Sequence, residues 1–434
     1  MTRITEIPKK LLPLAFGFLV VGTASAQPGS GIRAGDQTVL SPSFTLSYNH
    51  NDNVNLRRRA ISEGGEDLGR NDSDSFLNTQ FALGLTHWGD FAQYNARAWF
   101  GQRRYDKNTR LDRDTYGAST GLFWAASDAS TTARIDLSLQ RAVDRTENEQ
   151  NIIGDTVEIE ELENVSERVE RDELRANFVL TQALTPRIRG NAGYNIADIR
   201  YNEDRFSDRT SHLFSGELSY RYSDKTSPFV RAQLGLDDDD GFDGYARKPA
   251  YLLGVRYRPT DKLSLSASVG YESYTRTPLV LSPNIDEQKV ERLPGDKLKN
   301  SGLKFLASLQ YAATPKTRIS LNGRSGYNSV ASPGSSSREE LSFSAALNHQ
   351  TTRQINQRIS VAWREDDYLT PIPARGEEYD ELKETIWYQY RIDYQTVRPW
   401  LSLFGNLSYE DGSSQIPGDS YTETQITLGL TARY

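Results

Sequence analysis

The chain has no cysteine, and its single methionine is residue 1. A chain of 434 residues without a disulfide must draw its cohesion from another source. Beyond the N-terminus, no run approaches the roughly 18 apolar residues of a membrane helix. Hydrophobic residues make up only 37% of the sequence. There are four histidines, which limits acid–base and nucleophilic chemistry. No nucleotide-binding loop, zinc-ligand spacing or nucleic-acid signature is present, so the sequence implies no cofactor and no metal.

Aromatic residues and glycine are abundant: 23 Tyr, 16 Phe, 6 Trp and 32 Gly. That mixture suits strands and turns. The last strand shows the pattern most clearly. Ile426, Leu428, Leu430, Ala432 and Tyr434 share one side, and Gln425, Thr427, Gly429, Thr431 and Arg433 the other. Strict alternation describes a strand with one apolar and one wet face. Two further segments show it as sharply. Ala133, Ile135, Leu137 and Leu139 alternate with Arg134, Asp136, Ser138 and Gln140; Leu263, Leu265, Ala267, Val269 and Tyr271 alternate with Ser264, Ser266, Ser268, Gly270 and Glu272. Repeated strands of about ten residues with this dyad pattern are the signature of a transmembrane β-barrel. A soluble all-β protein is the competing reading, but it usually shows runs of core residues on several strands, and few occur here.

Residues 1–26 read as a secretory signal peptide. Arg3, Lys9 and Lys10 precede an apolar stretch from Leu11 to Val21, and Ala24-Ser25-Ala26 forms a small-residue cleavage site. Removing it takes away three of the 51 Lys+Arg and one of the 58 Asp+Glu, leaving 48 against 57 and a charge of −9. Residues 27–37 then form a short periplasmic segment, too small for a plug domain, and 38–434 form the barrel.

Short turns are expected near Trp88–Asp90, Ala125–Ser130, Thr185–Pro186, Ser223–Thr226, Pro259–Lys262, Thr314–Lys316, Thr351–Gln354 and Thr396–Pro399. Longer polar segments fall near 51–73, 106–113, 145–168, 203–210, 237–245, 276–300, 329–338, 369–380 and 412–420. Short turns alternating with long loops give an all-β, transmembrane, up-and-down antiparallel barrel of about eighteen strands, with sixteen as the neighbouring even count. Tyr220, Tyr222, Tyr257, Tyr311, Tyr394 and Trp124 are expected to face lipid near the short turns as an aromatic girdle.

Fixing the lipid face fixes the inner face. Its expected lining is basic: Arg97, Arg103, Arg134, Arg175, Arg187, Arg189, Arg221, Arg231, Arg256, Lys304, Arg318, Arg324, Arg358, Arg364, Arg391 and Arg433. The inward acids legible at this level are Asp136, Glu217, Glu272 and Asp393. Other acids gather in loops, including Glu158, Glu160 and Glu161 and the Asp237–Asp240 run. Rings of Arg or Lys favour anions in a pore. The same arginines could instead brace the wall and hold inward-folded acidic loops. The Asp237–Asp240 run lacks calcium-loop spacing and reads as a solvated loop.

His87 and His349 carry lipid-facing parity. His50 and His212 lie near the external rim and are the only positional candidates for catalysis, with Asp52 close to His50. Sequence proximity does not make a dyad, and the chain reads as a non-enzyme.

The barrel opens Leu46-Ser47-Tyr48-Asn49-His50-Asn51-Asp52-Asn53-Val54. An aromatic strand running into Asp52-Asn53-Val54, with a barrel to the last residue and an aromatic C-terminus, resembles the β-barrel porin 2 family over about 38–434. That family is similar to outer-membrane barrels encoded with exopolysaccharide and exosortase systems. The resemblance implies envelope transport, with passage of an extracellular polysaccharide as one form of it. It carries over Asp52-Asn53 only as an Asx-type turn. Tyr434 resembles the terminal aromatic recognised by the barrel-assembly machinery.

The sequence therefore points to a Gram-negative outer-membrane barrel that passes anionic solutes or an acidic exopolysaccharide, with outer-membrane lipid, lipopolysaccharide and export components as partners. The alternative is a closed barrel acting as a structural or interaction protein. No nucleic-acid partner is expected.

Overall fold

The computed structural model describes residues 25–27, 31–53, 73–128, 130–143, 170–202, 208–239, 245–277, 279–284, 289–294, 297–328, 338–369, 372–374, 377–379, 382–415 and 420–434. Its main sheet has 20 antiparallel strands, of which two are three-residue strands, Ser25–Gln27 and Gly31–Arg33. The other eighteen close on themselves. They are β1 (Thr38–Asn51), β2 (Asp74–Trp88), β3 (Ala92–Tyr105), β4 (Arg113–Ala125), β5 (Thr131–Val143) and β6 (Glu170–Ala183). They continue as β7 (Ile188–Tyr201), β8 (Arg209–Tyr220), β9 (Thr226–Asp239), β10 (Ala246–Thr260), β11 (Leu263–Arg276) and β12 (Leu298–Thr314). The last six are β13 (Thr317–Asn328), β14 (Arg338–Gln350), β15 (Ile355–Tyr368), β16 (Leu382–Gln395), β17 (Leu401–Ser414) and β18 (Tyr421–Arg433).

The eighteen-strand count and every expected short turn are observed. The expected leader is outside the described residues up to residue 24; Ser25–Gln27 pairs with Gly31–Arg33, which pairs with β1. The acidic segment 145–168 also lies outside the described residues.

Seven of the eight short turns share one device. The side-chain oxygen of Thr185, Ser223, Thr260, Thr314, Thr352 or Thr396 accepts the backbone N–H two residues on, at 3.1–3.3 Å. Asp128 does the same for Ser130 at 3.0 Å, which holds its carboxyl below the usual carboxylate range. Each bond satisfies a turn N–H that no strand can reach, so a hydroxyl or carboxylate at this offset fixes a tight reversal.

Closure joins β18 to β1, from Gln425 opposite Asn51 to Arg433 opposite Ser43. The Asx turn expected of Asp52-Asn53 is made instead by Asn51, whose Oδ1 accepts the Asn53 N–H at 2.8 Å. Asp52 reaches the other strand: its Oδ1 accepts the Thr424 N–H at 2.6 Å, and Asn53 Nδ2 donates to the Thr422 carbonyl at 3.0 Å. The motif extends the closing seam beyond the last ladder pair.

One seam is only half paired. β12 and β13 pair from Thr314/Thr317 up to Leu306/Arg324 and no further. Above that point β12 stays on β11, and β13 stays on β14, to their ends. The Ser325 hydroxyl bridges the gap, donating to the Leu303 carbonyl at 3.0 Å and accepting the Phe305 N–H at 3.1 Å. Tyr327, outward by register, packs instead on the inward Tyr274, with ring centroids 5.9 Å apart. The end of β13 has thus left the wall and leans inside β12.

Outside, Leu137, Leu253, Val269, Leu303 and Leu428 are exposed, as lipid-facing residues must be. The six girdle aromatics are all exposed near the short turns. Toward the long loops the outer face becomes charged. Arg141 grips Asp172, Arg104 pairs with Asp114 at 2.6 Å, and Arg200 pairs with Asp198 at 3.1 Å. The strands therefore outrun the apolar band at that end.

Candidate functional site: the inner wall

Register carries the inner face around the whole barrel. Starting from the buried Asn49, the partners run through Phe76, Tyr105, and so on back to Thr427, which faces Asn49. Arg97, Arg103, Arg134, Arg175, Arg189, Arg231, Arg256, Lys304, Arg318, Arg324, Arg358, Arg364, Arg391 and Arg433 all take inward register positions. Arg187 and Arg221 do not lie on the wall. They stand in the turn region around β7 and β8, where Arg221 Nη2 donates to the Pro186 carbonyl at 2.5 Å and Arg187 reaches Tyr220 Oη at 3.4 Å. Both flank the short-turn mouth, because the strands end one residue sooner than alternation suggests.

The inward acids are more numerous than the four legible in the sequence. Asp74, Glu173, Asp237, Glu340, Asp366, Glu410 and Glu423 also face inward. So do the cations Arg113, Arg171, Arg209, Lys248, Arg276, Arg338 and Lys383. All lie near the long-loop ends, where strands continue past the membrane and alternation gives way to loop-like composition. The excess of cations over acids persists.

The two halves of the lumen differ. Toward the long loops, inward side chains are buried and cross-linked. Glu173, 1% exposed, pairs with Arg171 at 2.6 Å and Arg175 at 3.2 Å. Glu340 holds Arg324 at 2.7 Å; Asp366, fully buried, holds Arg338 at 3.1 Å and Arg364 at 3.0 Å. Glu272 binds Lys304 at 2.5 Å and also accepts the Tyr327 N–H at 2.9 Å. Asp237 is buried against Lys248 at 2.7 Å, so the first residue of the aspartate run is a wall residue and not loop; Asp240 lies outside the described residues. Toward the short turns, Arg97, Arg189, Arg318 and Arg433 are exposed on the inner face.

Between these halves, Glu217 gathers Arg231 at 2.7 Å and Arg256 at 2.8 Å. Both guanidinium groups lie over the buried Phe229 ring, at 5.2 and 4.4 Å from its centroid. The outer end of the ring lies over Gly254, where an added Cβ would sit 2.3 Å from Phe229 Cζ.

Arg134 pairs with Asp136 of its own strand at 2.7 Å, and Arg324 with Glu340 of the next strand. Among the described residues, these partners come from the wall itself.

All four histidines point outward by register. His50 bonds Ser75 Oγ at 3.0 Å, His87 bonds Thr38 at 2.9 Å, His212 bonds Tyr194 Oη at 2.9 Å, and His349 bonds Thr317 at 2.9 Å. Asp52 is engaged with Thr424, so no His50–Asp52 pair forms.

The chain is thus a closed, antiparallel, even-stranded barrel with an apolar exterior and a charged interior. Residues 295–434 match the model of the family described as "Putative beta-barrel porin 2". Over that C-terminal third the chain is similar to porin-type β-barrels. The match spans β12 to β18, within the region where the resemblance was expected. No curated protein matches the sequence. Among solved structures, Acinetobacter baumannii OccAB4 is similar at 12% identity and TM-score 0.43, covering 93% of this chain and 100% of that one. Pseudomonas aeruginosa OpdK with vanillate is similar at 9% identity and TM-score 0.44, covering 91% and 99%. The E. coli K12 ferric-catecholate import receptor Fiu is similar at 8% identity and TM-score 0.48, covering 94% and 82%.

Proposed function

We propose that this barrel is a conduit for anionic solutes, with an acidic exopolysaccharide among the candidates, in the outer membrane of a Gram-negative bacterium. One observation carries the reading. Inward acids are largely taken up in ion pairs, while Arg97, Arg189 and Arg433 stand exposed on the inner face of the short-turn half. Exposed cations in a low-dielectric tube concentrate anions and repel cations. Passage is passive, and the arginines of the wall set selectivity. Export involves cleavage near Ala26, assembly uses Tyr434, and the surrounding partners are lipid and lipopolysaccharide.

The test is single-channel recording of the folded protein in a planar bilayer under a potassium chloride gradient. A reversal potential showing chloride preference is the expected outcome. A preference for potassium overturns the basic-conduit reading.

The filled long-loop half supports a second reading, a closed barrel with a structural or interaction role in the envelope. Complete absence of conductance in folded protein would favour it.

A further inference from the structure

Arginines of this barrel hold carboxylates with one edge of the guanidinium, the Nε–H and Nη2–H pair. Arg141 grips Asp172 this way at 2.7 and 2.7 Å. Arg231 grips Glu217 at 3.1 and 2.7 Å, Arg324 grips Glu340 at 3.0 and 2.7 Å, and Arg391 grips Asp393 at 3.1 and 2.9 Å. In the Arg141 grip the two N–H groups meet the two carboxylate oxygens one each, the spacing this fork fits, while Arg231 and Arg324 put both N–H groups on one oxygen.

Arg358 departs from the pattern. It lies on the inward register of β15, the fourth residue from the short turn, and is only 9% exposed. Its Nε and Nη2 are both buried and meet no hydrogen-bond partner in the protein. The neighbouring strands place Asn348 on one side and Arg391 on the other. Asn348 is neutral. Arg391 carries the same charge, and its own fork is filled by Asp393. A buried cation without a counter-charge is costly, and a like charge directly opposite adds to that cost. Nothing in the wall recovers it.

On the same row, Asn406 faces Arg391 from the far side, and its Oδ1 is also buried without a partner. Two strand spacings, roughly 10 Å, separate the Arg358 and Asn406 backbones. A fork for a carboxylate and an acceptor for a hydroxyl thus stand on one face of the lumen.

We propose that Arg358 is a binding site for the carboxylate of a solute in the lumen, gripped side-on by Nε and Nη2, and that Asn406 accepts a hydroxyl of the same solute. The chemistry fits a hydroxylated carboxylate, of which a uronic sugar is one source and a small organic acid another. The site deepens the conduit reading, since it gives one solute class a resting place on the wall.

Saturation-transfer NMR on the full chain in detergent tests binding without requiring conductance. The probes are acetate, acetamide and galacturonate. Acetate is expected to bind and acetamide not to, with galacturonate at least threefold tighter than acetate. Arg358→Gln should weaken acetate at least tenfold. Arg358→Lys keeps the charge but loses the fork, so it should stay weakened, and it serves if the Gln variant fails to fold. Asn406→Leu should abolish the advantage of galacturonate while leaving acetate unchanged. Acetate binding unaltered in Arg358→Gln, or full binding in Arg358→Lys, overturns the site. Galacturonate no tighter than acetate removes the hydroxyl contact and assigns the site to small acids. Binding without any conductance upholds the site and defeats only the conduit.

Discussion

Asn49 on β1 accepts a hydrogen bond from the Thr427 hydroxyl on β18 at 2.6 Å, across 378 positions of sequence. Both face inward at the seam that closes the barrel, and Asn49 also donates to Ser47 Oγ at 3.1 Å. Below them, Thr45 and Thr431 meet at 3.2 Å; above them, Asp52 and Asn53 reach Thr424 and Thr422. The first and last strands are thus fastened by side chains as well as by the ladder. Asn49 is fully buried, so Asn49→Ala leaves the Thr427 hydroxyl without an acceptor. The expected cost is about 1–3 kcal/mol. Denaturant unfolding of vesicle-reconstituted protein measures it, and Thr427→Val in a double-mutant cycle should show coupling. Additive effects would mean the two residues act independently.

Arg134 and Asp136 form a wall ion pair, so their contributions to the lumen field nearly cancel. Arg134→Ser should shift selectivity toward cations by unmasking Asp136. Arg134→Ser with Asp136→Ser should return close to the parent. Replacing Arg134, Arg324 and Arg358 together with Ser should lower chloride preference while folding persists. Reversal potentials decide these cases, and an unchanged selectivity in a folded triple variant would sink the basic-conduit reading.

The strand count, turn sides, girdle and inside–outside parity were all legible, because each rests on a period of two that persists through the membrane. Legibility fails where strands leave the membrane. Glu173, Glu340 and Asp366 are absent from the inward acids legible in the sequence because water surrounds a strand end on both faces, so nothing forces alternation there. Arg187 and Arg221 were misplaced by a single residue, enough to move a side chain from wall to rim. Pairing is wholly hidden: no sequence pattern says that Arg358 has no acid while Arg391 has one. The inward lean of Tyr327 is hidden too, since its parity is outward.

The half-paired seam predicts a local weakness. Ser325 supplies both a donor and an acceptor where the β12–β13 ladder stops, so Ser325→Ala leaves the Phe305 N–H and the Leu303 carbonyl exposed to each other's loss. About 1–3 kcal/mol of stabilisation should disappear. Hydrogen exchange should rise at Phe305 and at Gly326 to Asn328 before it rises elsewhere in β12 and β13. Uniform exchange along both strands would show that the seam is no weaker than its neighbours. Because the parent has no cysteine, Leu303→Cys with Tyr327→Cys can also report, by disulfide formation, whether the end of β13 returns to the wall.

Leu137 is the seventh of thirteen residues in β5 and is exposed on the outer face. Ser138 and Asp136, its chain neighbours, point inward. A cation at Leu137 therefore enters the lipid near mid-height, where no water and no acid can meet it. Leu137→Arg should cost about 2–4 kcal/mol, the figure for a basic residue at the midplane of a barrel. The same substitution at Ser138 should cost far less, because that position faces the wet interior. Folding free energies in vesicles of matched thickness compare the two. If both variants assemble equally well, the outer face of β5 does not meet lipid, and the parity that assigns every inward arginine of this barrel loses its anchor.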